Sequence, residues 1–192
     1  MKRKRVGVLI SGRGSNMTAL VEAARDPAYP AEIVCVVSNR PDTAGLEFAR
    51  SRNISTHVID HKHYSTRESF DAALNDYLQS QKLDLIACAG FMRIMTSVLL
   101  EPWAGKMINI HPSLLPLYKG THTHERALAD GVKVHGCSVH YVTAELDSGP
   151  VIAQAEVGVM PGDTPETLSA RVLVEEHKLY PKALAMIASK LT

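Results

Sequence analysis

Apolar runs alternate with helix-like segments through the first 110 residues. Runs typical of buried strands cover 5–10, 31–38, 55–60, 83–90 and 106–110. The stretches between them are typical of helices: the first ends near residue 24, the second lies near 43–52 and the third covers 65–81. In the third, Phe70, Ala73, Leu74 and Tyr77 keep helical spacing. Because strands and helices alternate and the strands are almost continuously apolar, the pattern predicts a mostly parallel sheet covered on both faces.

The pattern changes after residue 130. The stretches 134–143 and 150–160 alternate polar and apolar residues more strictly, with a six-residue loop between them, and so predict an antiparallel strand pair. Asp163, Thr164 and Pro165 favour the start of a long C-terminal helix, which Pro181 is expected to kink or divide. The fold class is therefore α/β, a Rossmann-like, mostly parallel sheet with an antiparallel C-terminal strand pair.

Length and composition fit one globular domain over residues 1–192, since 45% of the chain is hydrophobic. Lys and Arg total 21 against 20 Asp and Glu, and this near balance argues against a polyanionic partner such as duplex DNA. The basic residues 2–5 read as a solvated tail, and no segment reaches a membrane-spanning length. Cys35, Cys88 and Cys137 lie in apolar runs without a C-x-x-C pair, which indicates reduced thiols in a cytoplasmic protein.

Two polar residues interrupt the fifth apolar run, in "MINIHPSLLPLYKG". Side chains two apart on a strand project to the same side, so Asn109 and His111 should lie together where the strand ends. Pro112 keeps His111 extended. An amide and an imidazole held side by side could serve as paired hydrogen-bond donors. A buried Asn and His satisfied by loop carbonyls is the alternative, and on general grounds the commoner arrangement.

The glycine-rich turn "SGRGSN", residues 11–16, lies between the first strand and a helix. Such a turn presents backbone N–H groups and a positive helix end to an anion, which favours a single phosphate. A dinucleotide is less favoured, because Met17 stands where a third glycine belongs and Asn39 and Arg40 follow the second strand instead of an acid. A tight turn without a ligand is the remaining alternative.

The stretch "CAGFMRIM" ends the fourth predicted strand. Phe91, Met92, Ile94 and Met95 are apolar at a strand terminus, where open α/β sheets keep their ligand crevice, and could wall a pocket for a flat ring. Arg93 could bind a carboxylate or pack its stem locally. An ordinary strand-to-helix turn explains the stretch equally well.

The loop "AELDSGPV" carries Asp147 beside Gly149 and Pro150, a composition usual for a turn. If this loop folds over the end of the fifth strand, it brings a carboxylate to His111. A neighbouring carboxylate favours the protonated form of a histidine and orients its ring. Asn109, His111 and Asp147 would then form a trio able to handle protons and stabilise an oxyanion.

Nine histidines raise the question of a metal site. His61 and His63, like His122 and His124, have ligand-like spacing, but no Cys pair, H-E-x-x-H motif or acidic cluster accompanies them. Solvated or locally bonded histidines are the favoured interpretation, and no metal is expected.

Together these motifs resemble the phosphoribosylglycinamide formyltransferase family, folate-dependent enzymes of purine biosynthesis. The likeness runs from "VLISGRGSN" through "AGFMRI", "NIHPSLLPLYKGTHTH" and "ELDSGPVIAQ" to "EEHKLYP". The Asn-x-His pair with a later Asp is common to several formyl-folate enzymes, whereas HPSLLP-x-Y-x-G-x-HTH is specific to this family. Leu117 and Thr121 depart from the family pattern and are expected to affect local packing rather than chemistry.

The resemblance implies transfer of the formyl group of 10-formyltetrahydrofolate to the amine of glycinamide ribonucleotide, without a metal. It implies that Asn109 and protonated His111 donate to the oxygen of the tetrahedral intermediate, with Asp147 as partner of the histidine. The implied partners are small molecules, with neither nucleic acid nor membrane, in a cytoplasmic monomer or homodimer.

The resemblance also implies the residues that hold each substrate. The ribonucleotide contacts are Gly14, Ser15, Asn16 and Glu176. The folate contacts are Arg67, Met92, Arg93, Ile94, Met95 and Asn109.

Three other functions would explain part of these motifs. A methionyl-tRNA formyltransferase shares the trio but usually carries a second, C-terminal domain, for which the chain is expected to be too short. A formyltetrahydrofolate hydrolase typically has an additional N-terminal regulatory domain, which is not expected here. A nucleotide-binding module without catalysis would explain the glycine turn but would leave the trio unused.

Overall fold

Seven strands form one mixed sheet in the computed structural model, which describes residues 2–191. The strands are β1 (Lys4–Ile10), β2 (Ala31–Ser38), β3 (Ser55–Val58), β4 (Leu85–Cys88), β5 (Met107–His111), β6 (Val134–Tyr141) and β7 (Val151–Gly158). The helices are α1 (Ser15–Ala23), α2 (Ala44–Ser51), α3 (Arg67–Ser80), α4 (Ser97–Leu100), α5 (Thr123–Ala129) and α6 (Pro165–Lys190), with a short 3-10 helix at His61–His63. Residues 1 and 192, which the predicted domain includes, lie outside the described residues.

The strand order is β3-β2-β1-β4-β5-β6-β7. All pairs from β3 to β5 are parallel, and β6 and β7 add to β5 as antiparallel strands. The predicted fold class is therefore confirmed. Strand β1 lies between β2 and β4, so the direction of winding reverses there and a crevice opens at the carboxyl ends of β1 and β4.

Apolar side chains cover both faces of the sheet because successive residues of a strand point to opposite sides. On β1, Val8 belongs to one buried cluster and Leu9 to the other. Helices α1 and α6 pack in the first cluster, and α3 packs in the second, through Phe70 and Leu74. This two-sided burial explains why the parallel strands read as continuous apolar runs.

Threonine side chains cap the two longest helices. Thr66 accepts the N–H of Ser69 at the start of α3, and Thr164 accepts the N–H of Thr167 at the start of α6. Pro165 occupies the first turn of α6, where its missing N–H costs least. The start of the C-terminal helix predicted from Asp163, Thr164 and Pro165 is thus confirmed.

Pro181 was expected to kink or divide the C-terminal helix. Helix α6 runs unbroken through Pro181, so the division is wrong, while a kink stays a prediction. Proline removes one helical hydrogen bond, whereas α6 buries eight residues against the sheet and its neighbours. Packing therefore outweighs the local loss. The hydroxyl of Tyr29 donates to the carbonyl of Pro181 at 2.7 Å and ties this part of the helix to the loop before β2.

Three short elements were not predicted: α4, α5 and the 3-10 helix at His61–His63. The connection between β6 and β7 spans 142–150 and so exceeds the predicted six residues, because β6 ends two residues earlier and β7 begins one residue later than predicted. Of the helices described, none is both long and apolar enough to cross a membrane.

Candidate active site

The carboxyl ends of β4 and β5 border a cavity of about 750 Å³, a size usual for small-molecule sites. Its polar lining includes Asn16, Asn109, His111, Asp147 and Glu176. Its apolar lining includes Phe91, Met92, Ile94, Met95, Leu100, Ile110, Val142 and Leu146. The structure thus brings the predicted trio into one cavity with residues from both predicted ligand sites.

His111 is the last residue of β5 and is buried between two hydrogen-bond acceptors. Its Nε2 lies 2.9 Å from the carbonyl oxygen of Tyr118, and its Nδ1 lies 3.5 Å from Oδ2 of Asp147. A carbonyl and an ionised carboxylate can only accept. The surroundings of the ring therefore suit an imidazolium with a proton on each nitrogen.

Asp147 reaches His111 because its loop is held at two points. Its Oδ2 also accepts the N–H of Gly120 at 2.9 Å, which ties 142–150 to the loop after β5. At Gly149 a Cβ would lie 1.8 Å from the carbonyl oxygen of Tyr141, so any larger residue would push the loop away from β6. Asp147 itself adopts a left-handed backbone, with φ of 49°.

His140 is a site residue that was not predicted. It lies on β6 directly opposite Asn109, and its Nε2 is 3.3 Å from the Nδ2 of Asn109 and 3.6 Å from Oδ1 of Asp147. Its Nδ1 donates to the carbonyl of Tyr141 at 2.9 Å. Burial lowers the pKa of His140, which outweighs the opposite influence of Asp147.

A neutral His140 therefore accepts at Nε2 one of the two amide protons of Asn109. The other amide proton remains for the cavity. The sequence signal for His140 was its place in an alternating strand between His111 and Asp147. The pairing register that puts it opposite Asn109 cannot be read from that pattern.

The glycine turn leads into α1 with its first N–H groups free of any side-chain cap. Gly14 stands at the helix start with φ of 69°, a conformation that favours glycine. Ser15 is exposed beside it. The arrangement leaves the positive end of α1 open to an anion.

Asn16 links this turn to the C-terminal helix. Its Nδ2 donates to Oε2 of Glu176 at 2.6 Å, although the two residues lie 160 positions apart. Glu176 is 7% exposed, and burial raises the pKa of its carboxyl. Both residues line the cavity, whereas Gly14 and Ser15 are not among its lining residues.

The segment after β4 lines the cavity from Phe91 to Met95. Met92 and Ile94 are 70% and 61% exposed, so each offers apolar surface to a ligand. Arg93 also lines the cavity, and its guanidinium carbon lies 5.5 Å from the centre of the Phe70 ring. Binding of a carboxylate by Arg93 stays a prediction. Arg67 lies exposed at the start of α3 and is not among the residues that line the cavity.

The two departures from the family pattern lie on the loop after β5. Leu117 is exposed, and Thr121 lines the cavity. Leu117 therefore contributes little packing of its own.

A metal site would require grouped cysteines, histidines or carboxylates. All three cysteines are unpaired and buried, and burial raises the pKa of Cys35 to about 11 and that of Cys88 and Cys137 to about 12. These thiols therefore stay protonated at neutral pH. Within residues 2–191, no three His, Cys, Asp or Glu side chains are grouped to hold a metal ion.

With this geometry established, comparison with known proteins identifies the family. The family model described as formyl transferase matches residues 4–184. The chain belongs to the formyl transferase family.

Several members of the formyl transferase family are similar over nearly the whole chain. The phosphoribosylglycinamide formyltransferase of Escherichia coli (strain K12) is 44% identical over 181 residues, covering 94% of this chain and 85% of that protein. A crystal structure of phosphoribosylglycinamide formyltransferase from Brucella melitensis is 48% identical, covers 100% of this chain and 98% of that one, and superposes with a TM-score of 0.94. The resemblance predicted from the sequence is thereby confirmed.

One group of relatives is much longer. The trifunctional purine biosynthetic protein adenosine-3 of Bos taurus is 49% identical over 188 residues, which cover 98% of this chain but 19% of that protein. The chain thus spans about a fifth of the length of these relatives.

Burial of His135 should make the folded protein less stable in mild acid. This residue is 1% exposed, and burial together with nearby His124 lowers its pKa to about 4. An unfolded histidine titrates near 6.5, so between about pH 6.5 and pH 4 the unfolded chain binds the extra proton and folding stability falls as pH falls. For one histidine this amounts to about 2 kcal/mol between pH 7 and pH 5.

In His135→Gln, the free energy of unfolding should differ less between pH 7 and pH 5 than in the wild type. Denaturant unfolding at the two pH values measures it. His122→Gln is the matched control, since that side chain is 75% exposed. Equal slopes in the wild type and in His135→Gln would contradict the assignment.

Proposed function

We propose that this chain transfers the formyl group of 10-formyltetrahydrofolate to the amine of glycinamide ribonucleotide, giving formylglycinamide ribonucleotide and tetrahydrofolate in purine biosynthesis. The observation that carries the proposal is the meeting of Asn109, His111 and Asp147 at the end of β5, inside one cavity. The names of the relatives at 44% and 48% identity support it.

The cavity suits two ligands that must meet. Asn16 and Glu176 offer polar groups for the ribonucleotide, and the open start of α1 offers N–H groups for its phosphate. The exposed apolar side chains of Met92 and Ile94 suit a flat folate ring. Asn109 and His111 lie in the same cavity, so the reacting atoms are proposed to meet beside them.

The chemistry needs donors for a developing negative charge. The amine attacks the formyl carbon, and the carbonyl oxygen becomes the oxyanion of a tetrahedral intermediate. The free amide proton of Asn109 and an N–H of His111 are proposed to donate to that oxygen, while Asp147 balances the charge of the imidazolium. In the present structure the Nε2–H of His111 is directed to the carbonyl of Tyr118, which the oxyanion would replace or share.

Proton transfer completes the reaction. The attacking nitrogen gives up a proton, the bond between the formyl carbon and folate N10 breaks, and N10 takes up a proton as tetrahydrofolate leaves. His111 is proposed to carry this proton between the two nitrogens, as a positioned general acid and base. Every step is assigned to these side chains, and no metal is included in the proposal.

The proposal treats residues 1–192 as one formyltransferase domain acting on small molecules in the cytoplasm. The single sheet supports the first part, and the three unpaired, buried thiols support a reducing compartment. Arg67 remains a proposed folate contact that would need a ligand extending to the start of α3.

Formyl transfer with purified substrates tests the function directly. The expected result is formylglycinamide ribonucleotide as product, at an unchanged rate after dialysis against a strong chelator. Formylation of methionyl-tRNA, release of formate, or binding without turnover would each support one of the competing functions instead. Activity lost to the chelator and restored by zinc would overturn the metal-free part of the proposal.

Replacing Gly14 tests the phosphate site. Gly14→Ala puts a methyl group on a residue with φ of 69°, 2.9 Å from Cε of Met17, at the start of α1. Ribonucleotide affinity, measured by calorimetry, should fall about tenfold or more, whereas folate affinity should change little. Gly105→Ala is the control, since Gly105 has φ of 72° with open space around it and carries the same backbone strain outside the site. Unchanged ribonucleotide affinity in a folded Gly14→Ala variant would refute the assignment.

A double-mutant cycle tests the pairing of Asp147 with His111. His111→Ala should reduce turnover by about 100-fold or more, because the donor and proton carrier is lost. Asp147→Asn keeps the size of the side chain but removes its charge, so it should also reduce turnover. The double variant should lose much less than the product of the two single losses, because the groups act as a unit.

The cycle is run on turnover, with ribonucleotide binding followed in parallel. Binding should barely change, since neither residue is assigned to the phosphate. Fully multiplicative losses in turnover would show that Asp147 serves the loop rather than the histidine.

A further inference from the structure

Ser11 connects two segments that are proposed to bind different ligands. It follows β1, opens the glycine turn and is 5% exposed. Its backbone N–H donates to the carbonyl of Gly90 at 3.1 Å, and its Oγ accepts the backbone N–H of Met92 at 2.8 Å. One residue thus bonds twice to the segment after β4.

The hydroxyl of Ser11 is also fixed from the other side. It donates its only proton to Oδ1 of Asn39, at 2.5 Å, just beyond the end of β2. Asn39 is itself buried. Since a hydroxyl has one proton and two lone pairs, this donation leaves a lone pair directed to the N–H of Met92. The hydroxyl therefore has one orientation.

The segment held by Ser11 has few other supports. Among the described residues, the N–H of Met92 makes the one backbone hydrogen bond found between positions 91 and 95. The next anchor is Thr96, whose N–H and hydroxyl both donate to Asp71, at 2.6 and 2.8 Å. Without the Ser11 hydroxyl, no backbone hydrogen bond of residues 91–95 would remain among those described, and the segment would be held only at its two ends, by Gly90 and Thr96.

We propose that Ser11 is a positioning residue that sets the formyl-donor segment, residues 90–95, in register with the ribonucleotide turn, residues 12–16. The inference rests on the proposed function of these two segments. Ser11 does not line the cavity, so it acts through the residues that do. The turn keeps its own supports when the hydroxyl is removed, including the bond from Asn16 to Glu176. The donor segment should therefore be the part that moves.

Ser11→Ala tests this role against a matched control, Ser38→Ala. Ser38 is also fully buried at a neighbouring strand end, but its hydroxyl bonds only to the backbone of Arg40, at 2.7 and 3.1 Å. Ser11→Ala removes both hydrogen bonds of the hydroxyl, of which the one from the Met92 N–H holds the donor segment. The kcat/KM for the formyl donor should therefore fall about tenfold. The KM for the ribonucleotide should stay within about twofold. Ser11→Thr, which keeps the hydroxyl, should restore most of the loss.

Hydrogen exchange gives a second readout that does not depend on activity. The amide of Met92 should exchange faster in Ser11→Ala than in the wild type or in Ser38→Ala. If Ser11→Ala does not fold, Ser11→Cys has a similar size with a much weaker donor and acceptor, and should show a smaller loss in the same direction.

The outcomes separate the inference from the function on which it rests. Absence of formyl transfer in the wild type would refute the proposed function, while the exchange of the Met92 amide would still test the contact with Ser11. With an active wild type, three results would overturn the positioning role. These are an unchanged kcat/KM for the donor in Ser11→Ala or Ser11→Cys, equal losses for both substrates, and the same loss in Ser38→Ala.

Discussion

The antiparallel pairing of β6 with β5 is the constraint on which the candidate site depends. A parallel strand beside β5 would be reached only through a long crossover connection. The antiparallel β6 instead runs back along β5 and puts His140 opposite Asn109. The connection that follows β6 then returns over the end of β5 and carries Asp147 to His111. The close approach of Gly149 to Tyr141 keeps that connection against the sheet. The same strand register therefore sets the geometry of the candidate site.

Burial and hydrogen-bond partners distinguish His140 from His111. His140 lies deeper, its Nδ1 donates to a carbonyl, and burial lowers its pKa, so it serves the amide of Asn109 as an acceptor. His111 has an acceptor at each ring nitrogen, which suits a protonated ring. The same residue type thus takes opposite roles, because one ring faces a donor and the other faces two acceptors.

Much of this arrangement was predictable from residue patterns because the relevant forces are local. Continuous apolar runs reflect burial on both faces of the sheet, and the threonines before α3 and α6 satisfy helix N–H groups within one turn. Asn109 and His111 could be placed together because side chains two apart on a strand share a side. The pairing of Asp147 with His111 could be predicted only on the condition that the loop carrying Asp147 folds over the end of β5.

The features that were missed depend on contacts distant in sequence. The opposition of His140 and Asn109 requires the register of two strands, and the bond from Asn16 to Glu176 spans 160 positions. The continuity of α6 through Pro181 follows from burial along the whole helix, which no local rule for proline includes. In each case tertiary packing decided what the local pattern left open.

The central claim is that formyl transfer occurs at the end of β5, between Asn109 and His111. A crystal structure with glycinamide ribonucleotide and an unreactive analogue of the formyl donor tests it most directly. The claim predicts the amine nitrogen about 3–3.5 Å from the carbon that stands for the formyl group, the separation of a reactive complex. It also predicts the attached oxygen within hydrogen-bond distance of the Asn109 amide and the His111 ring. Ligands bound in separate places, or an oxygen directed away from both side chains, would contradict the claim.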